Sequence, residues 1–273
     1  MRVDLHMHST ASDGSFAPEQ VVEQARAGRL DLIALADHDT TAGVAAATEA
    51  GAALAVEVIP AVEMSSTWQG KDLHILGYFV DPQAPVLLEH AERARTFRES
   101  RMVRIIERLA EQGVHVSMDA VRVIAGADEK RKSIGRPHLA RALVEAGYVS
   151  SMQEAFDRYI SDDHDAFVPT ALQTPEEAVA RIQEAGGIAV WAHPPREVVD
   201  ALLPGFVRAG MRGVESFRPN HSREYQEHLE GLARHHGLLC TGGSDWHGTK
   251  DGVLGTFWIE ATEIAPFLAE RGL

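Results

Sequence analysis

His6 and His8 stand two residues apart at the end of the run Val3-Asp4-Leu5, and the two-residue period of a strand places both imidazoles on one face. So spaced they can share one cation, with Asp13 brought in by the Gly14-containing loop that follows. The pattern recurs along the chain. Asp37-His38-Asp39 follows residues 32–36, Glu63 ends the run 56–63, and His74 lies within 73–78. His193 follows residues 188–191, with Pro194 behind it, and Asp245 and His247 follow a late run through Gly242-Gly243-Ser244.

His6, His8, Asp13, His38, Glu63, His74, His193, Asp245 and His247 are thus nine candidate ligands, enough for two or three ions if Glu63 bridges two of them. An imidazole and carboxylate set without sulfur suits manganese, zinc or iron. Such ions lower the pKa of bound water and neutralise phosphate oxygens. A single histidine beside a strand is more often a hydrogen-bonded structural residue than a ligand, so His38 or His74 alone would carry little weight. The joint recurrence at strand ends carries the argument. His90, His115, His164, His228, His235 and His236 fall in helices or loops and read as structural or solvated.

The elements that must position these residues alternate in type. Apolar runs at 3–5, 32–36 and 56–63 are separated by helical patterns at 18–27 and 41–54, a β-α-β-α-β progression that implies parallel strands with helices outside. A further strand is expected at 73–78. Between 85 and 160 the pattern turns helical, at 85–112, 118–124, 137–146 and 151–160. The alternation then returns, with helices at 175–185, 221–236 and 264–270 and strands at 187–191, 213–217, 238–241 and 256–260. About seven parallel-type strands result, predicting an α/β barrel whose ligands lie where a closed barrel builds its active site, at the C-terminal strand ends. The domain reading is a barrel of residues 1–98 and 166–273 interrupted by a helical insertion at 99–165.

Bulk composition narrows the class. With 45% hydrophobic and 24% charged residues the chain is an ordinary globular protein, and no unbroken apolar run is long enough for a bilayer. Cys240 is the only cysteine, which excludes a disulfide scaffold and a thiolate metal cluster. The N-terminus lacks a basic leader and an apolar segment, so a cytoplasmic protein is expected, with no obligate protein partner implied. A net charge of −14 disfavours duplex DNA. That average hides an asymmetry: residues 93–141 hold twelve Lys or Arg against six Asp or Glu, a net of +6 that leaves −20 for the rest. Such a contrast suits a local anion site, although a solvated helical face would give the same count.

The motifs Asp4-Leu5-His6-Met7-His8-Ser9, Asp13-Gly14, Ala36-Asp37-His38-Asp39, Pro60-Ala61-Val62-Glu63, His74-Ile75-Leu76-Gly77-Tyr78, Ala192-His193-Pro194 and Gly243-Ser244-Asp245-Trp246-His247 together resemble the PHP (polymerase and histidinol phosphatase) family, related to the amidohydrolases. The resemblance implies a distorted seven-stranded (β/α) barrel and a three-metal centre, with manganese the first choice, held by the nine residues above with Glu63 bridging. It places catalytic roles on Asp13, His38, Glu63, His193 and His247. Trp246 departs from the alanine frequent in the last motif, but both flanking ligands are present.

Within the family the chain is similar to 3',5'-nucleoside bisphosphate phosphatases, whose relatives include 5'-3' exoribonucleases acting on short RNA. A histidinol-phosphate-like small-molecule phosphatase is the other alternative, and a metal-stabilised module that binds without catalysis is a third. A bisphosphate needs two anion sites, one at the metals and one elsewhere. Arg136 just before Pro137 at a helix start, with Lys132 and Ser133 nearby, is the leading candidate for the second. Arg101 and Arg104 follow, from the helical stripe Arg98, Arg101, Arg104 and Arg108. Asp37, Asp39, Arg196, Asn220 and His221 are further pocket candidates, and Phe97, Met102, Tyr159, Phe167 or Trp246 could stack on a base.

Overall fold

The computed structural model describes residues 1–126, 134–248 and 252–272. The chain begins with β1 (Arg2–Met7), α1 (Pro18–Ala27), β2 (Leu32–Leu35), α2 (Val44–Leu54) and β3 (Glu57–Trp68). β4 (Lys71–Tyr78) follows directly, and then α3 (Pro85–Glu111), α4 (Met118–Ala125), α5 (Arg136–Glu145) and α6 (Met152–Ala155), which runs into a π-helical turn at Phe156–Ile160. The last part comprises α7 (Pro175–Glu184), β5 (Ile188–Trp191), α8 (Val199–Arg208), β6 (Gly213–Phe217), α9 (Arg223–His236), β7 (Leu239–Gly242), β8 (Ile259–Glu260) and α10 (Ala265–Ala269).

The strands form one eight-stranded sheet in the order β7-β6-β5-β4-β3-β2-β1-β8. It curls into a nearly closed barrel. Residues just beyond β7 seal the seam against β1, with Asp245 N–H donating to His6 O at 2.8 Å and His8 N–H to Trp246 O at 2.9 Å. The expected seven-stranded, parallel-type barrel is therefore corrected to an eight-stranded mixed one. β3 and β4 are joined by Gln69 and Gly70, both at positive φ (48° and 81°), a tight turn that leaves no room for a crossover helix. β4 consequently runs antiparallel to both β3 and β5, and the two-residue β8 pairs antiparallel with Arg2 and Val3.

Inside the barrel Leu5, Leu32, Ala34, Ile59, Ala61, Leu76, Tyr78, Val190 and Phe217 form an apolar core, against which Phe267 of α10 packs edge-to-face on Tyr78. Going up the barrel the inward rows turn polar: Ile59 and Ala61 lead to Glu63 and Ser65 on β3, and Tyr78 and Leu76 to His74 and Asp72 on β4. Because β4 is antiparallel, its early residues reach the level that late residues reach elsewhere. On β1 the register slips between Asp4 and Met7. Val3 and Leu5 join the interior core while Met7 joins the outer one with α1, so the slip hands the interior side to His6 and His8. The helices α4, α5 and α6 pack on the second half of α3 around their own cluster, including Met102, Ile105, Leu139, Leu143 and Ile160. Among the described residues no helix is long and apolar enough to cross a membrane.

Candidate metal centre

Glu63 occupies the middle of the site. Its Oε2 lies 2.9 Å from His38 Nδ1 and 3.3 Å from the Nε2 atoms of His6 and His8, and its Oε1 lies 3.0 Å from His74 Nδ1 and from His193 Nε2. Asp13 Oδ1 approaches His247 Nε2 at 3.3 Å, and Asp245 Oδ1 approaches His8 Nε2 at 3.1 Å. Three groups have ligand atoms within 4.8 Å of one another: His8, Asp13, His38 and His247; His6, His8, Glu63 and Asp245; and His38, Glu63 and His74. The number of groups matches three ions. His193 belongs to none of them but touches both Glu63 and His74, the latter at 3.2 Å.

The donor set fits cations. Although His6 Nε2 and His38 Nδ1 lie close to Glu63 Oε2, these three atoms and His8 Nδ1 are buried with no partner in hydrogen-bond geometry among the described residues. A buried lone pair left so is costly, and a bound cation would satisfy it. Burial and the charge on His247 push His8 down to about 3, which keeps it in the neutral form that can ligate. Against its burial, His38, His74 and His6 hold Glu63 well below the usual carboxylate range, so it is ionised.

Local backbone features aim these groups. His193, Asp245 and Asp39 have φ of 31°, 59° and 56°, left-handed values that cost a non-glycine residue energy and that cluster here at strand-end loops. A Cβ on Gly243 would strike the Cβ of His6, so glycine there lets the β7 loop close on β1. His6 Nδ1 hydrogen-bonds Glu215 Oε1 at 2.9 Å, an interaction that orients the imidazole and leaves Nε2 for the cluster. Arg218 joins Glu215 Oε2 at 2.9 Å to Asp245 Oδ2 at 3.1 Å, and Glu215 Oε2 also accepts from His193 N–H at 2.7 Å. Against its burial, Arg218 and His6 hold Glu215 down to about 2. Sequence reading missed both Glu215 and Arg218. The available signal was a glutamate in the middle of the otherwise uncharged run 213–217.

The same cleft, about 300 Å³, is lined by Asp13, Glu63, His193 and His247 and also by Arg98, Arg101 and Arg136. Arg98 grips Asp39 Oδ2 through Nε at 2.9 Å and Nη2 at 2.6 Å, and Asp39 further accepts from Ser65 N–H and pairs with His90. Arg101 Nη2 donates to Asp72 Oδ2 at 2.7 Å. Burial pushes Arg101 down to about 10, with Asp72 opposing and the charges of Arg136 and Arg98 adding to the fall. Arg136 opens α5, as Pro137 suggested, and donates through Nη1 to Asp162 Oδ1 at 2.5 Å and to Ile160 O. Phe167 stacks on Arg101 and Arg136, and Phe156 lines the cleft.

Other candidates lie elsewhere. Arg104 is exposed on α3 beside Phe97, Arg196 pairs with Glu224 on the surface, and Asn220 is exposed. Asp37 accepts from Ser9 and Ser12, bracing the loop after β1, and His221 pairs with Ser216 O. Trp246 is buried, stacks on Phe16 and donates to Gly252 O. Lys132 and Ser133 lie outside the described residues.

A barrel with imidazoles and carboxylates gathered at one end is the architecture of metal-dependent phosphoesterases of the amidohydrolase-related kind. The chain belongs to the PHP family: the PHP domain profile matches residues 4–100, and full-length relatives align with it. It is 34% identical over 251 residues to the 5'-3' exoribonuclease of Haemophilus influenzae, covering 90% of each chain. It is 34% identical over 261 residues to the 3',5'-nucleoside bisphosphate phosphatase of Chromobacterium violaceum, covering 92% of this chain and 88% of that one. Identity to the phosphoribosyl 1,2-cyclic phosphate 1,2-diphosphodiesterase of Eggerthella lenta is 35% over 252 residues, 90% of this chain and 94% of that one. A solved structure from Bifidobacterium adolescentis superposes with a TM-score of 0.88 at 33% identity, covering 98% of this chain and 95% of that one. This chain is a metal-binding phosphoesterase of that superfamily.

Proposed function

We propose that the chain hydrolyses the 3'-phosphate of nucleoside 3',5'-bisphosphates, leaving a nucleoside 5'-monophosphate. One observation carries this reading: a single cleft of about 300 Å³, at the small end of ligand-pocket sizes, is lined both by seven of the nine candidate metal ligands and by three buried or half-buried arginines. A substrate with two phosphates needs two anion sites within one nucleotide's length. The similarity to the Chromobacterium violaceum phosphatase supports the same choice.

In this reading His6, His8, Asp13, His38, Glu63, His74, His193, Asp245 and His247 hold three ions, with manganese preferred over zinc or iron. Bound there, the ions would activate water and offset charge on the phosphate. Asp13, His38, Glu63, His193 and His247, which line the cleft, carry the catalytic role, because the ions they hold would receive the phosphate being cleaved. Arg136 and Arg101 receive the 5'-phosphate, and the aromatic rings of Phe156 and Phe167 flank their guanidinium groups. Residues 99–165 then act as the wall or lid of a barrel formed by residues 1–98 and 166–273.

The test measures phosphate release by metal-loaded protein and by Arg136→Ala, on adenosine 3',5'-bisphosphate, adenosine 3'-monophosphate and short 5'-phosphorylated RNA. Wild type is expected to prefer the bisphosphate over the 3'-monophosphate. Arg136→Ala is expected to cut that preference about tenfold to a hundredfold, the scale of one charge-assisted contact. Mononucleotide release from RNA without bisphosphate turnover would replace this reading with an exoribonuclease, and inactivity on all three would remove the nucleotide assignment.

A further inference from the structure

The Asp72 side chain lines the cleft and is only 7% exposed, yet it belongs to neither the metal cluster nor the proposed anion contacts. It stands two residues before His74 on β4, so both side chains project from the same face of the strand. Its partners come from three other parts of the chain. Oδ2 accepts from Arg101 Nη2 of α3 at 2.7 Å and lies 3.8 Å from Arg136 Nη2 of α5. Thr170, ahead of α7, donates to Oδ1 through its N–H at 2.7 Å and to Oδ2 through its hydroxyl at 3.0 Å. Arg101 is pinned from its other side by a bond from Nε to Val168 O at 2.5 Å.

The charges in the cleft explain why such a carboxylate is needed. Arg98 is matched by Asp39, whereas Arg101 and Arg136 share Asp72, with Asp162 at the rim as the other partner of Arg136. Two guanidinium groups brought together below the surface repel each other, and a shared anion on the barrel side holds them in one arrangement. With its two oxygens held by Thr170 and Arg101, Asp72 cannot easily turn toward a ligand.

Building on the bisphosphatase reading, we propose that Asp72 is a positioning residue for substrate selection: it fixes Arg101 and Arg136 so that they present one preformed site to the 5'-phosphate. It does so from the strand that also carries His74, which ties the spacing of the two anion sites to the barrel. The competing expectation is simple repulsion, in which a carboxylate near the site weakens anion binding and its neutralisation strengthens it.

Asp72→Asn separates the two, because it keeps the shape of the side chain and removes its charge. The holoprotein is titrated calorimetrically with adenosine 5'-monophosphate and with adenosine, and the KM values for adenosine 3',5'-bisphosphate and adenosine 3'-monophosphate are measured alongside. Asp72→Asn is expected to lower the affinity ratio of 5'-monophosphate to adenosine about tenfold and to narrow the KM ratio of the two 3'-phosphates by a similar factor, the scale of one charge-assisted hydrogen bond. Thr170→Val, which removes one bond to Asp72, is expected to move both ratios in the same direction by less, and supplies the test if Asp72→Asn does not fold. Unchanged ratios, equal losses on both members of each pair, or tighter binding of the 5'-monophosphate would overturn the proposal. If wild type binds the 5'-monophosphate better than adenosine but releases no phosphate from the bisphosphate, the bisphosphatase reading fails, and the binding ratio still decides the role of Asp72.

Discussion

Seven of the nine candidate metal ligands and three arginines line one cleft, but the two sets are fixed in place differently. His6, His8, Glu63 and His74 lie on or just beyond barrel strands, where ladder hydrogen bonds and a full interior core set the backbone. Arg98 and Arg101 come from α3 and Arg136 from α5, and each is held mainly by carboxylates of distant segments. One wall is rigid because its backbone is, and the other because its charges are paired. The two walls should therefore fail in different ways when mutated.

The largest effect is expected on the rigid wall. Glu63→Gln removes the carboxylate that touches five imidazoles, and phosphate release is expected to fall about 10²- to 10³-fold, together with bound metal. Retention of full activity would mean that Glu63 is a structural acid and not part of the working centre.

Next comes the pair that joins the walls. Arg98→Ala leaves Asp39 ionised and buried immediately after His38, and is expected to cost about 3–5 kcal/mol in denaturant unfolding. Against its burial, Arg98 and His90 hold Asp39 well below its ordinary 3.8. A carboxylate depressed in the folded state adds stability above its unfolded pKa and loses it as pH falls through the folded value. The difference between wild type and Arg98→Ala should accordingly be full at neutral pH and shrink below about pH 4. A loss under 1 kcal/mol at pH 7 would make the arginine wall independent of the metal wall.

The smallest effect is expected at Arg104, which lies on the same helix but is exposed, in cation-π contact with Phe97. Arg104→Ala should change stability by no more than about 0.5 kcal/mol and leave the substrate preference as it is. A clear loss of that preference would move the second anion site away from Arg101 and Arg136.

The same contrast explains what could be read from sequence. Candidate ligands such as His6 and His8, or Asp245 and His247, are close neighbours in the chain and follow apolar runs, so spacing alone singles them out. Arg98 meets Asp39 across 59 residues and Arg101 meets Asp72 across 29, and no local pattern announces such pairs. Glu215 and Arg218 were hidden for a related reason: each makes sense only once β6 stands next to β7 and near β1. Strands were expected at 73–78 and 256–260, but apolar runs do not encode direction, so the antiparallel sense of β4 after the Gln69-Gly70 turn and of the shorter β8 was not legible. The slip in β1 was also invisible, although without it Leu5 and His6 could not both contribute to the interior.

The most direct test of the account is a metal titration of chelator-stripped wild type, with bound metal counted by mass spectrometry and phosphate release from adenosine 3',5'-bisphosphate followed at each step. Three ligand groups sharing Glu63, His8 and His38 should give little activity at the first equivalent and a plateau near three per chain. Full activity at one equivalent, or in the stripped protein, would contradict a shared three-ion centre.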